Sequence, residues 1–153
     1  MAIITPAGAG GSSSGAGSEV GYDQITAPVS VVSNTEATGT TVISCAAHTI
    51  DGSPVFAVFF APFVSSDATA GHQLIVSLFE GATQIGRLLN YVAPTSTANN
   101  TQAITGMLRF TPSAASHTYT VTAFMVTAGS GTVGAGTSGT GNNVPAFIRF
   151  TKV

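Results

Sequence analysis

The chain has 153 residues, of which 44% are hydrophobic and only 7% charged, with a formal net charge of -2. This length suits one domain with a hydrophobic core, and so small a charge excludes a basic footprint for nucleic acid or for an anionic membrane. Charged residues usually make up roughly a quarter of a soluble domain. We therefore expect this protein either to rely on Ser, Thr and Asn for its solubility or to hide much of its surface in an assembly, and we favour assembly.

The first segment, residues 1–21, differs from the rest of the chain. Its tract AGAGGSSSGAGS cannot bury enough apolar surface to order itself and is typical of a flexible linker. A short apolar tag that includes Ile3 and Ile4 precedes the tract. Two interpretations stay open, an anchoring arm that orders on a partner and an uninformative disordered terminus. The start also lacks the basic region and long apolar run of a signal peptide.

Residues 22–153 alternate between apolar and polar positions with a period of two, which predicts β-strands. The predicted strands, separated by turn residues, cover residues 25–33, 40–47, 55–64, 73–79, 84–93, 101–111, 117–126 and 144–153. Pro28 places the first of them at an edge or a bulge. The turn Asp51–Pro54 is predicted from an Asp that accepts from its own backbone and a Gly that supplies a positive φ.

Two of the predicted strands are central to the predicted fold. In residues 117–126, Tyr119, Val121, Ala123 and Met125 share one face, as expected of a half-buried strand. The last strand alternates in the same way, and so apolar a segment at a terminus predicts an inner strand of a sheet. Residues 55–64 are apolar on both faces, which predicts cover by a neighbouring layer or by another subunit.

No window has the 3.6-residue apolar period of an amphipathic helix. Strands at this spacing, with turn chemistry between them, predict an all-β fold, namely an antiparallel jelly-roll-type sandwich preceded by the Gly/Ser-rich arm. The segments 94–100 and 129–143 are predicted to be loops, and the second, rich in glycine, to be mobile or ordered only at an interface. No run approaches the ~18 apolar residues of a membrane span.

Residues that could carry chemistry are few and scattered. Cys45, the single cysteine, excludes an intrachain disulfide and is predicted to be a small core residue. The histidines His48, His72 and His117 lack metal-ligand spacing and are predicted to be structural. The six carboxylates are isolated in the sequence, and no catalytic motif is present. We therefore predict no enzyme activity, no metal and no cofactor.

Four segments resemble small virion surface proteins of tailed bacteriophages, which have a short N-terminal arm and a β-rich domain: residues 79–87, 110–121, 129–136 and 144–149. The turn followed by H-T-Y-T-V and a C-terminal strand is also similar to the trimeric C1q/TNF-like jelly rolls, in which the inner sheets of three subunits pack around an axis. The resemblance covers about residues 22–153.

This resemblance implies a non-enzymatic structural protein of the virion, assembled in the host cytoplasm. The favoured role is a capsid decoration (cement) protein on a bacteriophage head, attached through its arm to the major capsid protein or another virion protein. A homotrimer would place Phe56, Phe59, Phe60 and Phe147 at the subunit interface, and Ile3 and Ile4 against the particle. For each phenylalanine, the alternative is the monomer core. The alternative function is a tail or fibre tip that binds a host receptor or glycan through the loops 94–100 and 129–143.

Overall fold

The computed structural model describes residues 15–32, 35–94, 101–127 and 129–153. Within these ranges the chain forms ten strands: β1 (Glu19–Ile25), β2 (Val29–Val31), β3 (Thr40–Asp51), β4 (Val55–Ser65), β5 (Gln73–Glu80), β6 (Thr83–Val92), β7 (Gln102–Phe110), β8 (Ala114–Met125), β9 (Gly131–Val133) and β10 (Ala146–Lys152). None of the residues in these ranges belongs to a helix long and apolar enough to cross a membrane.

The ten strands form two antiparallel sheets that pack face to face. Sheet A has the order β1-β10-β4-β9-β2, with β7 also paired to β4, and sheet B has the order β3-β8-β5-β6. Their central parts, β1-β10-β4-β7 against β3-β8-β5-β6, make an eight-stranded jelly roll whose chain repeatedly crosses from one sheet to the other. The predicted fold class, an all-β antiparallel sandwich of jelly-roll type, is confirmed.

The core lies between the sheets and follows the predicted alternation. In β8, which lies between β3 and β5, the side chains of Tyr119, Val121, Ala123 and Met125 are fully buried. In β4, one face is buried and the other is half-exposed. In β8 the period of two in the sequence therefore identifies the face that meets the other sheet.

The strand β10 is an inner strand, as predicted, and lies between β1 and β4. Ala146, Ile148 and Phe150 point into the core and are fully buried. The backbone N–H of Gly17 donates to the carbonyl of Lys152 at 2.8 Å, and the N–H of Lys152 donates to the carbonyl of Ser18 at 2.9 Å. These bonds join the segment before β1 to the end of β10.

The predicted boundary of the arm needs a correction. β1 begins at Glu19, which pairs with Thr151, so the last three residues of the predicted arm 1–21 belong to sheet A and the folded part begins before residue 22. The single strand predicted over 25–33 is divided into the end of β1 and the short β2. Pro28 lies between them and has no N–H to donate to a strand ladder. Ile3 and Ile4 lie outside the described residues.

The prediction that 129–143 is a loop throughout was wrong near the start of this segment. Gly131–Val133 form β9, which pairs with both β2 and the end of β4, and Ala135 is buried. A Cβ at Gly134 would overlap the ring of Phe63, and one at Gly131 would overlap the Leu74 side chain. The glycines of this segment therefore permit close approach of backbone to side chains.

The buried Tyr119 hydroxyl supplies a test of this packing. The Tyr119 ring packs on Phe150 and Phe110 at centroid distances of 4.9 and 5.6 Å, but the hydroxyl has no hydrogen-bond partner among the residues that the structure describes. Tyr119→Phe keeps the ring and removes the unsatisfied group, so we expect urea denaturation to give an unchanged free energy of unfolding or one higher by about 1 kcal/mol. A clear decrease would show that the hydroxyl has a partner.

Candidate functional site

The outward side of sheet A carries an unusual set of side chains. Residues that are directly opposite on neighbouring antiparallel strands point to the same side of a sheet. The register across β1, β10, β4 and β7 therefore produces three outward rows, which together are called the aromatic face: Glu19, Thr151, Phe56 and Arg109; Tyr22, Arg149, Val58 and Met107; Gln24, Phe147, Phe60 and Thr105.

Three aromatic rings stack on one another on this face. Phe147 of β10 stacks on Tyr22 of β1 and on Phe60 of β4, with both centroid distances at 5.4 Å. Tyr22 is 43% exposed, and Met107, on the far edge of the face, is 62% exposed. Large apolar side chains that are contiguous and open to solvent mark a surface that binds something.

Of the four predicted interface residues, three lie on the aromatic face and one lies in the core. Phe56, Phe60 and Phe147 lie on the aromatic face and are half-buried within the subunit. Phe59 is 0% exposed and points into the core, so it has no surface with which to contact a second subunit and is removed from the predicted interface. The error arises because both faces of β4 are apolar, so composition alone did not identify the buried one.

The aromatic face also carries charges without partners. Glu19, Arg109 and Arg149 are exposed and form no ion pair with the described residues. Glu19 lies on β1 at one edge of the face, and Arg109 lies on β7 at the other edge of the same row. Unlike charges therefore occupy opposite edges at the same height along the strands.

The remaining carboxylates are all engaged within the subunit. Each has a nitrogen of a cationic or histidine side chain within 2.7 Å: Asp23 with His48, Glu36 with Arg87, Asp51 with Lys152, Asp67 with His72, and Glu80 with His117. The described residues contain no group of three or more side chains that could hold a metal ion. Each histidine thus has one carboxylate partner, in line with the structural role predicted for it.

The His117 pair lies at the end of sheet B. The Glu80 carboxylate, 2.5 Å from Nδ1, raises the pKa of the His117 imidazole, and the bond from Nε2 to the Ser113 carbonyl at 2.9 Å acts in the same direction. Both bonds favour the protonated ring because both ring nitrogens then donate.

Cys45 is buried, as predicted, and its burial raises the pKa of the thiol to about 12. The protonated thiol is therefore the form present at neutral pH, and it is a poor nucleophile and a poor metal ligand.

A second surface feature lies on the outward side of sheet B, opposite the aromatic face. A groove of about 530 Å³ runs between the β2–β3 connection and the β5–β6 turn. We call it the Glu36 groove. Its lining includes Glu36 and Gly39 from the connection, Phe79 from β5, Gly81 and Ala82 from the turn, and Gln84 from β6.

Glu36 is held firmly on the surface of sheet B. Its Oε1 accepts hydrogen bonds from Ser77 Oγ and Gln84 Nε2, both at 2.6 Å, and from Arg87 Nε at 3.0 Å. Its Oε2 accepts from Arg87 Nη2 at 2.7 Å. The Arg87 guanidinium is the main reason that the pKa of Glu36 falls to about 2, so the carboxylate is ionised at neutral pH.

The Glu36 groove was not predicted from the sequence. Ser77, Gln84 and Arg87 follow Glu36 by 41, 48 and 51 residues, so no local pattern connects them. The described residues of the two loops named in the sequence as possible contact surfaces belong neither to the lining of the Glu36 groove nor to the three rows of the aromatic face. Residues 95–100 lie outside the described residues, and residues 131–133, near the start of 129–143, are part of sheet A.

The sequence matches no protein-family model and no curated protein. The chain is similar in structure to the C-terminal carbohydrate-binding module (CBM6) of LamC, a marine laminarinase from Zobellia galactanivorans, with 16% identity over 74% of this chain and 75% of that chain and a TM-score of 0.35. It is also similar to carbohydrate-binding module CBM6cm-2 of Cellvibrio mixtus lichenase 5A, in complex with cellotriose, with 14% identity over 90% and 92% of the two chains and a TM-score of 0.35. Similarity at this level does not extend to ligands.

The His117 pair makes stability depend on pH. Because its folded-state pKa is raised, the stabilisation is fully present below the unfolded-state pKa of about 6.5 and is lost as the pH rises through the folded-state value. We expect the difference in unfolding free energy between wild type and His117→Gln to shrink as the pH rises from 5.5 to 8.5, measured by urea denaturation. A difference that stays constant over this range would contradict the assigned protonation.

Proposed function

We propose that this protein is a non-enzymatic structural component of a virus particle, a decoration (cement) protein of a bacteriophage head, that assembles as a homotrimer through the aromatic face. The observation that carries the proposal is the set of stacked rings Tyr22, Phe147 and Phe60, with exposed Met107 on the same face. Burial of such a surface against a second copy of the chain lowers the free energy, because it removes apolar area from water.

The distribution of charge supports a structural role. Five of the six carboxylates and all three histidines pair with one another or with Lys and Arg, and the pairs connect different strands or close a loop. These groups therefore hold the sandwich together. The aromatic face presents the large side chains of Tyr22 and Met107 to solvent, and these suit burial against a partner rather than chemistry.

The unpaired charges favour a cyclic arrangement. In a cyclic trimer each subunit presents one edge of its interface to the opposite edge of the next subunit. If the strands of sheet A run along the axis, Glu19 of one subunit lies at the height of Arg109 of its neighbour, because both belong to the same row. The pair would neutralise two of the three unpaired charges and define the height at which the subunits meet.

Attachment to the particle is assigned to the segment before the described residues. Gly17 and Ser18 already bond to β10, so the proposed arm is shorter than residues 1–21; we propose residues 1–14, which lie outside the described residues, as this arm. Three arms on one trimer would bind several sites on a capsid together, and this valency raises the overall affinity without new contacts. Ile3 and Ile4 remain the predicted contact residues.

Charge reversal tests the arrangement of the subunits. We expect Glu19→Arg and Arg109→Glu each to raise the trimer dissociation constant at least about tenfold, because each places like charges opposite one another. The double variant should regain most of the wild-type affinity. The measurement is sedimentation equilibrium at several protein concentrations.

Arg149→Glu combined with Glu19→Arg is the matched control, because Arg149 lies in a different row of the same face. This combination should not restore assembly. Restoration by Arg149→Glu, or a wild-type protein that stays monomeric at every concentration, would contradict the proposed interface.

Deletion of residues 1–14 tests attachment. We expect the shortened protein to keep its trimeric mass, because β1 and its bonds to β10 are intact, and to lose co-sedimentation with virus particles from which the protein has been stripped. The full chain added to the same stripped particles is the control. Undiminished binding of the shortened protein would remove the arm from the proposal.

A further inference from the structure

We propose that the Glu36 groove binds a neutral saccharide. The groove lies on the outward side of sheet B, and the aromatic face lies on the outward side of sheet A. A trimer that covers the aromatic face therefore leaves the groove open. This inference does not depend on the proposed virion function, because the two surfaces share no residue.

The groove offers polar atoms that are held in place and still have capacity. Glu36 Oε2 accepts one hydrogen bond, from Arg87, and a carboxylate oxygen can accept a second. Gln84 donates to Glu36 through Nε2, while its Oε1 has no partner among the described residues. Both oxygens can accept from ligand hydroxyl groups. Because Ser77, Gln84 and Arg87 already orient the carboxylate, a ligand would meet a site that needs little ordering.

The remaining lining selects the kind of ligand. Phe79 is half-buried and offers apolar surface to the C–H face of a sugar ring, and Gly39, Gly81 and Ala82 keep the groove wide. The volume of about 530 Å³ lies within the range of about 300–1,000 Å³ typical of small-molecule sites. The Arg87 guanidinium compensates the charge of Glu36 in a charge-assisted pair, so the groove has no net charge to offer an ionic ligand. Several hydroxyl groups beside an apolar ring face, with no net charge, are the properties of a neutral saccharide.

The test uses the full chain on an array of immobilised oligosaccharides, with neutral gluco-, galacto-, manno- and N-acetylhexosamine types beside sialylated and uronic acid types. We expect binding to at least one neutral type and none that requires an acidic sugar. Ala82→Trp places a large ring in the groove from an exposed turn position and should lower the array signal at least about tenfold. Gln84→Met, which keeps the length of the side chain and removes its amide, should lower it less.

Ala47→Trp is the matched control, because Ala47 is exposed and pairs with Thr118 on the same sheet, outside the groove lining. It should bind like wild type. Binding to no neutral type, binding only to acidic types, or an Ala82→Trp variant that binds like wild type would each overturn the inference. The native mass is measured on the same samples, so that the two proposals are tested separately. A trimer that binds no sugar contradicts only saccharide binding by the Glu36 groove. A monomer that binds sugar contradicts only assembly through the aromatic face.

Discussion

The pairing of β10 between β1 and β4 is the interaction on which sheet A depends. β1 has its strand partner in β10, and among the described strands β10 alone links β1 to the rest of the sheet. The side chains of β10 point alternately to the two sides of the sheet. Ile148 and Phe150 fill the core, while Phe147 and Arg149 point outward and connect Tyr22 to the β4 side chains of the aromatic face. The core and the proposed interface therefore form together, from one seven-residue strand.

Most of the few charged side chains in this fold form ion pairs, and two of these pairs connect the two sheets. Asp23 on β1 pairs with His48 on β3, which joins the edge of sheet A to the edge of sheet B, and it also accepts from the backbone N–H of Ala46. Asp51 at the end of β3 pairs with Lys152 at the end of β10 and makes a second connection between the sheets. Since most ionisable groups are engaged in this way, the unpaired ones on the aromatic face are informative. On a protein with ordinary surface charge, three unpaired residues would indicate little.

Features that are encoded by neighbouring residues were predicted from the sequence, and features that depend on residues far apart in the chain were not. Strands such as β8 and β10 were predicted because their side chains alternate over many residues, and the turn at Asp51–Pro54 because Asp51 accepts from the Ser53 N–H and Gly52 has φ 86°. β9 was missed because three residues carry no period, and because its position depends on contacts with Phe63 and Leu74 far away in the chain. The Glu36 groove was missed for the same reason. For Phe59, the strand was predicted but its buried face was not, since every residue from Val55 to Phe60 is apolar.

The place of β10 in sheet A also governs the order in which the fold can form during synthesis. β1 and β4 emerge from the ribosome well before residues 146–152, and until then both keep an unpaired strand edge and the core lacks Ile148 and Phe150. Pairings between distant parts of a chain form slowly, and open strand edges promote contacts between chains. Sheet A is therefore completed only after translation of β10, and nascent chains held close together on one messenger RNA are at greatest risk of pairing with one another instead.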